Sequence, residues 1–390
     1  MQKETRERII SYLAFAVGAW FIFLCGLNYF AQRPGMDEGY ILNNIKESSI
    51  PQLFGQLKYD QVFPRVYLAL ISIFSRQFSY SLLSLRFFPL LFMFAGFLIW
   101  LRIYKQESKS GFYFFLLIFT FASSFFTTYY GSLLKQYSAD LFAIAAFTLF
   151  IYHQRKFLDK EIPLNYLWLF SLISPFLVLF SHMSFLLLWV PAYNYLFISR
   201  KNKRAIAPLA AYLLLMMILS LGVYVTDIRY SRQVPFMQEY WKDCFIDTGS
   251  LYGFTKTFTN GLQNIFVRWF AENKLAKSVA SIFTPFALAA LFRGVKPSLV
   301  RHKGAIMDAY SLCGLLLLEL FVLGVLRVYP FTGSRITLFI APFIFLMLVE
   351  GIYLIKRYKP VFYPLLGAYL LFLSGVSAYL FFFYLGFYAR

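Results

Sequence analysis

An acidic pair, Asp37 and Glu38, follows closely on an apolar run that ends at Phe30. Two adjacent carboxylates at a membrane surface can serve as a general base or hold a cation. They can equally open a solvated loop or cap a helix. Asp60 and Gln61 come just before a short apolar stretch, 66–74. A helix starting there would offer free N–H groups to an anion, or Asp60 would simply cap it. Arg86 stands near the start of the next apolar run, and Lys135 and Asp140 flank the start of a later one. Ionisable groups at membrane depth cost about 2.5–3.5 kcal/mol at the centre, and less near the interface, where long side chains snorkel. Lys135 and Asp140 can also pair with each other.

Further along, Tyr329-Pro330-Phe331-Thr332-Gly333-Ser334-Arg335 forms a turn. It sets an arginine beside Gly, Ser and Thr, which suits a phosphate group and also a plain interfacial anchor. His182 sits in a tight turn between two apolar runs; the other histidines, His153 and His302, fall on the opposite side, so a histidine metal centre is not expected. Glu319 lies in the middle of a run, as a relay or substrate group or as a neutral acid bonded to a neighbouring helix. Cys25, Cys244 and Cys313 are too scattered for a disulfide framework or a zinc site.

The elements that must position these residues are set by composition. The 390 residues are 60% hydrophobic and 22% aromatic, and only 14% are charged, against about 25% in soluble domains. So much apolar surface excludes a water-soluble enzyme. The net charge of +19 is spread through short loops rather than gathered on one soluble face, which argues against nucleic-acid binding. The expected fold is an all-α polytopic transmembrane bundle, a single domain over 1–390. Eleven spans are expected: 9–30, 82–101, 112–130, 136–152, 164–181, 183–198, 205–226, 278–292, 305–326, 336–355 and 361–388. The first is too long for a signal-peptide core and has no cleavage site after it, so it reads as a retained span.

Orientation follows from the loops. With a cytoplasmic N-terminus, the clusters around Arg102–Lys109, Arg155–Lys160, Arg200–Arg204, Arg293–Lys303 and Lys356–Lys359 all fall inside, as the positive-inside rule requires. Two long segments, 31–81 and 227–277, fall outside. The stretch 66–74 is too short to cross and is expected to lie as an interfacial helix in the first outer loop.

Taken in order, six motifs resemble those of GT-C glycosyltransferases, in the branch that includes protein O-mannosyltransferases and lipid A aminoarabinose transferases. MDEGYILNNI is similar to that family's acidic pair after the first span. DQVFPRVYLAL resembles its D-x-x-x-P-P-L-x-Y segment, with Arg65 in place of the second proline and Gln61 where a histidine is often found. LSLRFFPLLF and LKQYSADLFA resemble its Arg-Leu-Pro and R/K-x-Y span starts. PFMQEYWKDCF resembles an aromatic segment of its large outer loop, and GSRITLFIAPF its late arginine-bearing span start.

The resemblance implies a sugar transferase using a polyprenyl-phosphate-linked donor at the periplasmic face of a bacterial inner membrane, with a lipid, glycan or protein acceptor. Asp37 would be the general base, with Glu38 beside it in the catalytic pair. Lys135 and Arg335, backed by Arg86, would hold the donor phosphate. Asp60, Gln61, Tyr137, His182 and Tyr329 would contact substrate. No cofactor is expected: the oligosaccharyltransferase branch uses a divalent ion, but this chain has no D-x-D. The competing reading is a transporter or flippase of lipid-linked sugars, which should place its ionisable groups near the midplane rather than at one surface. An O-antigen-polymerase-like enzyme is a third, leaning on outer-loop arginines instead of Asp37.

Overall fold

In hydrocarbon every backbone N–H and C=O must be satisfied within its own segment, so apolar runs of this length become helices. The computed structural model describes residues 2–30, 35–231, 239–270, 274–301 and 305–388, and these contain no strand. The chain is a multi-pass helical membrane protein. Its helices are α1 (Gln2–Phe30), α2 (Met36–Glu47), α3 (Arg65–Arg76), α4 (Leu82–Glu107), α5 (Gly111–Ala122), α6 (Phe125–Tyr129), α7 (Tyr137–Leu158), α8 (Leu164–Ile173), α9 (Ser184–Lys201) and α10 (Ile206–Val223). They continue with α11 (Leu251–Val267), α12 (Lys274–Ser281), α13 (Thr284–Arg301), α14 (Ala309–Val325), α15 (Ala341–Leu354) and α16 (Lys359–Tyr388).

Five helical stretches are long and apolar enough to cross a membrane: Glu7–Phe30, Leu82–Glu107, Lys203–Ile228, Arg335–Leu354 and Lys359–Gly386. A sixth crossing is available from α12 and α13, bent by 45° at their junction. This bend explains why 278–292 looked short for a span. Other expected spans are interrupted. The run 112–130 breaks at Ser123 and Ser124, where the Ser124 hydroxyl donates to the Trp269 carbonyl at 2.9 Å. The run 164–181 passes from α8 into a 3-10 turn, Ser174–Leu179, with Pro175 in its first turn. At its C-terminal end α10 loosens into a π-turn, Tyr224–Ile228.

Two hydrophobic cores form. The larger joins α1, α4, α5, α7, α9, α13, α14, α15 and α16. Here α4 packs closely on α7 because Gly96 leaves room: a Cβ there would meet Leu141 Cδ2 at 2.6 Å and Phe142 Cα at 3.2 Å. The smaller core belongs to the segment between α1 and α4. Ile41, Ile45, Leu53, Phe63, Tyr67, Leu68 and Ile71 pack together against Leu85, Leu134 and Ala139 at the ends of α4 and α7. Helix α3 has 12 residues, about 18 Å, which cannot span, and its apolar face is buried in that small core. The smaller core therefore fixes α2, α3 and the turn before α7 as one unit.

Candidate functional site

The acidic pair begins a helix rather than a loop. Gly35 is the N-cap of α2, and Asp37 and Glu38 occupy the first turn, where the helix dipole favours negative charge. Consecutive helical residues point about 100° apart, so the two carboxylates separate.

Glu38 turns into the protein and is 1% exposed. It accepts from Arg86 Nη2 at 2.6 Å and Nε at 2.8 Å, from the Leu134 amide at 2.8 Å, and from the Gly35 amide at 2.9 Å. Arg86, 2% exposed, also donates to the Asn28 carbonyl at 3.0 Å. The Asn28 amide reaches the Tyr129 carbonyl and Ser132 Oγ at 2.7 and 2.6 Å. These contacts define what the two side chains do in the fold. Glu38 is spent on a buried fork-to-fork ion pair, and so are Nε and Nη2 of Arg86, which leaves neither side chain facing an open surface. Their place is to lock the ends of α1, α2 and α4 to the 130–136 turn.

That turn presents Lys135. The lysine is 7% exposed and its Nζ donates to Gln61 Oε1 at 2.7 Å. Burial pushes its pKa down to about 8; the Asp37 carboxylate opposes this shift and Arg335 adds to it. Lys135 and Asp140 do not pair, because Asp140 accepts from Ser181 Oγ at 2.6 Å instead.

Asp37 is only partly covered, and Arg335 Nη1 lies 2.6 Å from its Oδ2. Arg335 opens a 3-10 turn, Arg335–Ile340, that leads into α15. The Ser334 amide donates to Thr337 Oγ1 at 3.0 Å, and the Tyr329 hydroxyl to the Ile336 carbonyl at 2.6 Å. Gly333 is required in this approach: a Cβ would meet the Asn264 carbonyl oxygen at 2.1 Å. Tyr137, buried at the start of α7, lies within the electrostatic reach of both Arg335 and Asp37. Two buried polar atoms next in sequence to the two cations, Gln136 Oε1 and Ser334 Oγ, have no hydrogen-bond partner among the described residues.

The structure thus gathers Asp37, Gln61, Lys135, Tyr137 and Arg335, with Tyr329 holding the Arg335 turn from behind. It does not gather Asp60 or His182 into the same contacts. Asp60 is exposed on a turn with φ of 53° and caps no helix among the described residues. The first amide of α3, Arg65 N, is taken by Asp227 Oδ2 at 2.9 Å, and His182 Nε2 pairs with the same oxygen at 3.1 Å. Asp227 escaped the sequence reading because it looked like the ordinary end of a span. His302 and the first residues of PFMQEYWKDCF lie outside the described residues. Glu319 accepts from Trp189 Nε1 at 2.8 Å, between α14 and α9.

A half-covered carboxylate held between two cations at one end of a helical membrane bundle is an arrangement for acid–base work beside an anion. No family model matches the chain, and neither does any curated protein. Two solved structures do. ArnT from Cupriavidus metallidurans bound to undecaprenyl phosphate matches over 88% of this chain and 59% of its own, at 11% identity and a TM-score of 0.50. The apo structure of the same protein matches over 90% and 60%, at 11% identity and a TM-score of 0.49. The chain therefore spans about three-fifths of the length of these structures and shares the polytopic fold of the undecaprenyl-phosphate-bound one. The motif resemblance to GT-C glycosyltransferases and the solved neighbour point to the same architecture.

Proposed function

We propose that this protein is a membrane glycosyltransferase that moves a sugar from a polyprenyl-phosphate carrier to an acceptor hydroxyl at the periplasmic face of a bacterial inner membrane. The observation that carries the reading is the Asp37–Arg335 contact with Lys135 beside it. One carboxylate and two cations match the needs of the step. Asp37 takes the proton of the acceptor hydroxyl, whose oxygen bonds to the anomeric carbon. The bond from that carbon to the phosphate oxygen breaks, and polyprenyl phosphate leaves with the electron pair. Lys135 and Arg335 stabilise the negative charge that the leaving phosphate gains. The ArnT structure of this fold holds undecaprenyl phosphate, which supports the donor class.

The test is turnover in proteoliposomes against a panel of undecaprenyl-phosphate-linked sugars. Release of free undecaprenyl phosphate with formation of a glycoside is the expected result. Counterflow of the intact lipid-linked sugar, with no bond broken, would overturn the enzyme reading in favour of a transporter.

A further inference from the structure

At the ends of α4, α7 and α15 far from Asp37 lies a cleft of about 570 Å³, lined on one side by Arg293, Gly294, Pro297 and Ser298 of α13. Its two buried carboxylates already have partners. Glu350 accepts from the Tyr113 hydroxyl at 2.9 Å and pairs with Lys109, and Asp308 caps α14 through the Ser311 amide at 3.0 Å and accepts from Ser298. The opposite face of α13 is different. There a groove of about 460 Å³ runs between α13 and α14.

Local spacing explains the shape of this groove. On α13, Leu291, Val295 and Leu299 form one row and Phe292, Lys296 and Val300 the next. Steps of four residues keep both rows on one face of a helix. Gly314 and Leu317 of α14 make the facing wall. Gly314 keeps that wall low where the helices approach, because a Cβ there would meet Val295 Cγ2 at 3.1 Å. Leu291 to Val300 covers about 14 Å of helix, close to the depth of one leaflet of a hydrocarbon core about 30 Å thick. Phe292 and Val300, 75% and 72% exposed, face outward, so the groove opens to whatever surrounds the bundle.

Every lining residue is apolar or glycine except Lys296. That lysine is exposed, lies one turn from the Val300 end, and makes no hydrogen bond or ion pair with any described residue. The lining selects the occupant. An apolar slot one leaflet deep takes hydrocarbon, and a lone ammonium in the same slot calls for an anion, since unpaired charge at membrane depth is costly. A second copy docked symmetrically on this face would set Lys296 and Arg293 against their own counterparts, and α13 has no acid to offset them. We propose that the groove between α13 and α14 binds an anionic phospholipid, with one acyl chain along the two rows of α13 and the phosphate on Lys296. This site is independent of the sugar-transfer reading.

The test is native mass spectrometry of the full-length protein released from detergent. Phosphatidylglycerol, phosphatidylethanolamine and phosphatidylcholine with identical acyl chains are offered together. Phosphatidylglycerol should be retained about fivefold over the two zwitterionic lipids, the worth of one lysine beside an anionic headgroup. Lys296→Gln, a change at an exposed side chain, should remove that preference. Lys359→Gln, at an exposed lysine that opens α16, should leave it in place. Gly314→Leu fills the slot and should lower retention of all three lipids. Equal retention of the three, a preference that Lys296→Gln leaves unmoved or that Lys359→Gln removes equally, lipid retention untouched by Gly314→Leu, or a dimer in place of lipid adducts would overturn the proposal. So would undecaprenyl phosphate displacing phosphatidylglycerol in a Lys296-dependent way, which would make the groove part of the donor's path.

Discussion

The two ends of α4, α7 and the Arg335–Leu354 stretch use the same residue types in opposite order. At one end a half-covered carboxylate, Asp37, is flanked by the cations Lys135 and Arg335. At the other, two carboxylates, Asp308 and Glu350, are buried, while Glu107, Arg155 and Lys156 are half-buried and Arg293 is exposed. Loop charge follows membrane topology and makes the far face basic. Interior charge does not follow it. Interior charge is set by which side chains the packing brings together, Asp37 with Arg335 at one end and Glu350 with Lys109 at the other. The ends also differ in how they are held. A core of its own and the Glu38–Arg86 pair brace the Asp37 end, whereas the cleft is framed by helix ends and a helix cap.

This contrast can be broken most sharply at Asp37. Asp37→Asn keeps the size and polarity but cannot accept a proton as a carboxylate does. Turnover of a polyprenyl-phosphate-sugar should fall by about 10²–10⁴-fold, with undecaprenyl phosphate binding retained. The thermal unfolding midpoint in detergent should be unchanged, and a fall in both turnover and midpoint would mean that the variant acts through the fold.

Glu38→Gln should fail in a different way. Removing one partner of a buried ion pair leaves the Arg86 charge uncompensated, at a cost of about 3–5 kcal/mol. The expected readout is a clear drop in the thermal unfolding midpoint in detergent. An unchanged midpoint with lost turnover would return Glu38 to the catalytic pair.

Arg335→Gln should weaken undecaprenyl phosphate binding by about tenfold or more, the worth of a charge-assisted hydrogen bond. Thermal stability should change little, because the Asp37–Arg335 pair is partly solvated. If binding is unaffected, the phosphate lies elsewhere.

The fourth expectation concerns pH. Lys135 loses its proton in the ligand-free protein at about pH 8, well below an ordinary lysine, chiefly because it is buried. The charged form is the one that attracts phosphate, so affinity should be steady below pH 8 and decline above it. Lys135→Arg stays charged throughout this range and should flatten the decline. A decline that persists unchanged in this variant would assign the titration to another group.

Tyr329→Phe should show the smallest effect. It removes one hydrogen bond to the Ile336 carbonyl, worth about 1 kcal/mol, and loosens the turn that presents Arg335. A several-fold rise in KM for the donor with kcat nearly intact is the expected pattern. A change in kcat alone would place Tyr329 in contact with the reacting atoms.

Much of this was legible in the chain itself. Long apolar runs fix a helical membrane fold, because no other backbone arrangement satisfies its polar groups in hydrocarbon. The short run 66–74 announces a helix too short to cross, and α3 lies on the small core. Asp37, Lys135 and Arg335 stood out as charged residues where apolar runs begin or end. What the sequence left open is which charges meet. Asp37 and Glu38 are neighbours in the chain, yet a helical first turn sends one towards Arg335 and the other into a buried pair with Arg86, 48 positions away. Lys135 lies five residues before Asp140, yet the fold gives it Gln61 and gives Asp140 to Ser181. The acids of the far cleft, Glu107, Asp308 and Glu350, carry no common motif and come together only when three helices converge. Residue type and local spacing determine element and depth, which are properties of a segment and its solvent. Partner choice is a property of packing, set by close approaches such as Gly96 on α7 and Gly333 on α11, and only the tertiary structure decides it.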